Sequence, residues 1–121
     1  MKNLIAVFIT GTVLAIAGFS AQAGALTDKE EKQLAASAKS SEDHLRLAKH
    51  FQAKADKLAA DAKEHAEMAQ IYREHTSVAD TKRPGAADTV SHCEALSQDL
   101  AQAAKDARKL AADHESMAKQ R

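Results

Sequence analysis

HLRLAKHFQAKADKLAADAKEHAEMAQIY, residues 44–72, carries two series of positions spaced seven apart. Positions 44, 51, 58, 65 and 72 hold His, Phe, Leu, His and Tyr, while 48, 55, 62 and 69 are all Ala. Seven residues are close to two turns of an α-helix, so both series fall on one side of it and form a narrow apolar seam. The residues between them are mostly Lys, Glu, Asp, Gln and Ala, which favour helix and leave its other faces solvated. The pattern predicts one long helix over about 41–77.

A second seam follows downstream. Positions 93, 100, 107 and 114 are Cys, Leu, Ala and His, flanked by Val90, Leu96, Ala104, Leu110, Ala111 and Met117. This predicts a helix over about 89–119, capped by Asp88 or Thr89. Between the two lies Thr76 to Asp88, containing Arg83-Pro84-Gly85, where proline removes a donor and glycine tolerates a turn. A short connection makes the helices antiparallel, and alanine-lined seams let them approach closely. Facing pairs are then Tyr72 with Cys93, His65 with Leu100, Leu58 with Ala107 and Phe51 with His114, to within one turn.

Upstream, Thr27-Asp28-Lys29-Glu30 is a capping box: the Thr27 hydroxyl serves a free backbone N–H and Glu30 reaches back. A short helix should run over about 28–39, with a break in the Ser-rich stretch from Ser37 to Asp43 and a new cap at Ser40 or Ser41. The expected fold is all-α: an antiparallel, Ala-rich helical hairpin or three-helix bundle, with some coiled-coil character.

The first 23 residues have a different composition. Lys2 precedes an apolar run from Leu4 to Phe19, and Ala21-Gln22-Ala23 fits an A-x-A cleavage site. The run is short for a membrane span and is broken by Thr10, Gly11, Thr12 and Gly18. Residues 1–23 therefore read as a signal peptide and 24–121 as a single helical domain, periplasmic or secreted. No cysteine follows the apolar run and no twin arginine precedes it, so general secretion is the expected route rather than lipid anchoring.

Composition narrows the function classes. The chain of 121 residues holds 17 Lys and Arg against 17 Asp and Glu, interleaved rather than clustered. Nucleic-acid binding draws its affinity from a basic excess, so nucleic acid is not an expected partner. The apolar faces are mostly alanine and lack Trp, which makes stable membrane attachment after cleavage unexpected as well. No Gly-rich phosphate loop, G-x-S-x-G, C-x-x-C or H-E-x-x-H motif is present. A narrow alanine seam also leaves little room for an enclosed pocket of about 300 Å³. The expectation is a non-enzymatic protein that acts by helix packing, with itself or another exported protein as partner.

Metal binding is the second expectation, for copper or zinc, because all six histidines lie after residue 23 and two His-x-x-Met pairs put nitrogen and sulfur one turn apart. A folded hairpin would draw His75, His92 and Cys93 together near the turn, with Asp88 and Tyr72 close by. At its open end His50 would face His114 and Met117, with His44 nearby. The competing account of His65 and His114 is ordinary seam packing, and that of Met68 and Met117 is core filling. Cys93 has no internal partner, so it would stay free, bind a ligand or join two chains.

Two resemblances follow from these residues. Glu42-Asp43-His44-Leu45-Arg46-Leu47-Ala48, His65-Ala66-Glu67-Met68-Ala69 with Tyr72, His92-Cys93, and His114-Glu115-x-Met117-Ala118 together resemble a group of small exported bacterial proteins of unknown function. That resemblance implies helical structure and export. The two His-x-x-Met motifs are similar to those of exported silver- and copper-binding resistance proteins, which carry more of them and more methionine.

Overall fold

A computed structural model describes residues 25–75 and 86–120. The expected signal peptide and the Arg83-Pro84-Gly85 turn lie outside the described residues. The described residues form three helices: α1 Asp28–Ser37, α2 Ser41–His75 and α3 Ala86–Lys119. Among the described residues there is no strand, and the all-α expectation holds.

Local chemistry sets the helix starts. The backbone N–H of Glu30 donates to the Thr27 hydroxyl at 3.3 Å, and the N–H of Thr27 donates to Glu30 Oε2 at 2.8 Å. These bonds serve donors that the first turn leaves free, and the Thr27 hydroxyl, donating to Glu30 Oε2 at 2.7 Å, holds the Glu30 carboxyl below its usual range together with the Thr27 N–H. α2 uses the same device one residue type over. The Asp43 N–H donates to Ser40 Oγ at 3.0 Å, while Asp43 Oδ2 accepts from the N–H groups of Ser40 at 3.1 Å and Lys39 at 3.2 Å. These bonds lower the Asp43 carboxyl, the Lys39 amide contributing most. Ala38 closes α1 at φ −58°, outside the left-handed region, with its N–H donating to Leu34 O.

The third helix begins at Ala86, earlier than the Asp88 or Thr89 cap expected from sequence. Ala86 and Ala87 are strong helix formers and extend the helix back towards Pro84-Gly85. Asp88 falls inside the first turn, where its negative charge complements the helix dipole.

α2 and α3 run antiparallel along nearly their whole length. Ser41 Oγ donates to Ala118 O at 2.9 Å at one end, Ser97 Oγ donates to Ala62 O at 2.7 Å midway, and Arg73 pairs with Glu94 at the other end. Each helix extends about 50 Å at the usual rise per residue. The seam between them is almost entirely alanine: Ala48, Ala55, Ala62 and Ala69 from α2, with Ala104, Ala107, Ala111 and Ala118 from α3. Among the described residues, Leu47 is the one side chain larger than alanine that is fully shielded.

Bulk is concentrated at the open end. Leu47 and Phe51 pack on Ala111, and α1 with its flanking residues lays Leu26, Leu34 and Ala38 against this cluster. α1, about 15 Å long, covers only that end. The molecule is a long hairpin with a short third helix across its open end, which unites the two architectures the sequence left open.

Candidate functional site

The open end gathers four aromatic rings. His50 meets Phe51 edge-on with ring centres 5.3 Å apart, and Phe51 lies parallel to His114 within 3° at 5.7 Å. The Phe51–His114 contact is the facing pair expected from the seven-residue spacing. His114 then meets His44, whose ring is inclined by 25° with its centre 5.4 Å away.

The last contact is polar. Nδ1 of His44 and Nδ1 of His114 are 3.1 Å apart, a hydrogen-bond distance. Comparing that separation with the 5.4 Å between ring centres shows that both nitrogens lie close to the line joining the rings. The rings therefore meet edge to edge, lone-pair direction to lone-pair direction. A neutral imidazole carries one N–H, so one ring donates from Nδ1 and the other accepts there. The pair holds one proton between two bases. His44 is buried and His114 half-buried. Desolvation, reinforced by repulsion from His44 and opposed by Asp113, holds the His114 imidazolium below its ordinary pKa.

His50 turns the opposite way from the sequence expectation, towards α1 rather than His114 and Met117. The N–H of Leu26 donates to its Nδ1 at 2.9 Å, which leaves Nε2 to carry the proton and donate to Glu31 Oε2 at 2.8 Å. Lys54 Nζ reaches the same carboxylate oxygen at 3.3 Å. Partial burial raises the Glu31 carboxyl, but the bonds from His50 and Lys54 outweigh it and leave it lowered. Both ring nitrogens of His50 are thus occupied in fastening α1. The sequence signal that could have found this pairing is Glu31 itself, a carboxylate in the first turn of a helix short enough to fold back over α2.

No family model, curated protein or solved structure matches this chain.

At the far end, His75 and His92 are exposed and Cys93 is a half-buried free thiol. His75 Nδ1 donates to the carbonyl of Ile71 on its own helix at 2.8 Å. Among the described residues, no group of three or more His, Cys, Asp or Glu stands close enough to hold a metal ion. His65 on the α2 seam keeps a buried Nδ1 without a hydrogen-bond partner. Met117 is 42% exposed and lines an open hollow of about 440 Å³ with Ala38, His44 and Gln120. Another open hollow, of about 490 Å³, is lined by Leu45, Ala48 and Gln52 of α2 with Glu115 of α3. It is open to solvent, whereas the expectation concerned an enclosed pocket.

Proposed function

We propose that this chain is an exported helical protein that works by helix-to-helix association, and that its first partner is a second copy of itself. The observation that carries this reading is a doubled apolar stripe on α3. Ser97, Ala104, Ala111 and Ala118 form one seven-residue series, buried or half-buried along α2. Leu96, Ala103, Leu110 and Met117 form another on the adjoining flank, where Leu96, Leu110 and Met117 stay more than 40% exposed. Leu100, Ala107 and His114 form a third series that lies between the two. An apolar face that wide suits a helix with neighbours on two sides, as in multi-helix bundles.

Energetics favour the same reading. A seam of alanines buries little area per residue, so the isolated hairpin is thin for its length. A second hairpin laid along the free stripe would add leucine and methionine burial, and the equal numbers of acidic and basic residues remove net self-repulsion. Among the described residues no helix is long and apolar enough to cross a membrane. Export rests on the Lys2, Leu4–Phe19 and Ala21-Gln22-Ala23 pattern.

Size-exclusion chromatography with light scattering tests the association. The purified chain should run as a dimer, and Leu110→Glu, on the exposed stripe, should convert it to a helical monomer. A chain that is monomeric at high concentration, or a Leu110→Glu variant that stays dimeric, would overturn the reading.

A further inference from the structure

We propose that His44 and His114 form a binding site for a soft monovalent cation of the Cu(I) class, with Met117 as the third donor. The edge-to-edge meeting of the two rings aims two nitrogen lone-pair directions at one point between α2 and α3. A pair of opposed imidazole nitrogens is the arrangement a two- or three-coordinate monovalent ion takes, whereas Zn(II) asks for four ligands. Metal–nitrogen bonds of about 2.0 Å on either side of an ion need the nitrogens roughly 4 Å apart. The present 3.1 Å therefore has to open by about 1 Å, within reach of small side-chain rotations.

Proton accounting is simple. Of the two neutral rings, one already has a bare Nδ1 and the other carries its proton there. Moving that proton to Nε2 of the same ring exposes the second lone pair, so the ion enters with no net proton release. Phe51, parallel to His114, fixes the plane of one ligand ring. Met117 follows His114 by three residues on α3 and lines the same open hollow as His44, so a thioether borders the site on its solvent side. Sulfur beside two imidazoles selects a soft ion over Zn(II) or Mg(II). The remaining ring of the cluster, His50, is occupied by Leu26 and Glu31 and takes no part.

The test is an anaerobic titration of the purified chain with Cu(I) against a chromophoric chelator, with Zn(II) in parallel, followed by nitrogen NMR of the histidine rings. One Cu(I) per chain should bind more tightly than about micromolar, and the Nδ1 signals of His44 and His114 should be the ones that shift. His114→Gln should abolish this binding. Met117→Leu, a change at a half-exposed position that leaves the fold intact, should weaken it by about tenfold without altering Zn(II) binding. Cys93→Ala and His92→Ala should leave it unchanged. Binding no tighter than micromolar, shifts confined to His75 and His92, or loss of Cu(I) binding in Cys93→Ala would overturn the proposal. The association reading does not depend on the outcome.

Discussion

His44 and His114 share one proton across a 3.1 Å gap between the two long helices. Protonating His114 would place a positive charge in a partly desolvated site, and the neighbouring Phe51 ring offers no compensating acceptor.

Stability should therefore depend on pH through His114. Its folded pKa is lowered, so the unfolded chain binds a proton that the folded chain resists. This contribution is complete above the ordinary imidazole value of 6.5 and is lost as pH falls through it towards the lower folded value. Thermal unfolding followed by circular dichroism should give a lower midpoint at about pH 5.5 than at about pH 7.5. His114→Asn should shrink that difference; an unchanged difference would contradict the assignment.

Leu47→Ala should destabilise the fold more than any other single leucine truncation. It deletes the one large side chain that is wholly shielded among the described residues, at a cost of about 3 kcal/mol. Leu45→Ala, at a position 48% exposed, should cost well under half as much. Urea unfolding curves of the two variants make the comparison directly.

Overfilling the seam should be harmful where overfilling the surface is not. Ala55 is completely buried between the long helices, so Ala55→Leu should lower stability by about 2 kcal/mol by prising them apart. Ala60 is exposed on the same helix, and Ala60→Leu should leave the urea midpoint nearly unchanged.

Ser40→Ala should cost about 1 kcal/mol by removing the acceptor for the Asp43 N–H at the start of α2. The loss should appear first as faster amide hydrogen exchange at Glu42 and Asp43, before global unfolding.

His50→Ala should unfasten α1. The Leu26 amide, bonded to His50 Nδ1, should lose its exchange protection, while amides in the middle of α2 and α3 keep theirs. Equal loss in all three helices would show that α1 is not a separable element.

The long helices were legible because a seven-residue repeat of apolar positions has one straightforward three-dimensional reading, and Phe51 meeting His114 follows from it directly. Both early caps were legible too, since Thr27 with Glu30 and Ser40 with Asp43 satisfy backbone donors locally. The His50 environment was not, because spacing fixes which face a residue occupies but not what a short helix folded across that face brings to it. The direct His44–His114 contact was legible only as a shared location at the open end: the facing rule placed Phe51 opposite His114, and His44 lies two turns before Phe51, beyond the one-turn tolerance of that rule. The start of α3 was not legible from its polar capping residues, because the helix-forming strength of Ala86-Ala87 carries the helix back past Asp88.

A track of near-identical alanines has a kinetic corollary. Sliding one long helix past the other by seven residues would exchange alanine for alanine along much of the interface, so most of the zipper is blind to alignment. What stops the slide is bulk at one end, where Leu47, Phe51 and His114 have shapes that fit once, together with the Ser97 and Arg73 links farther along. Misaligned hairpins should therefore form readily as short-lived folding errors, and the aromatic end should be the place where they are corrected.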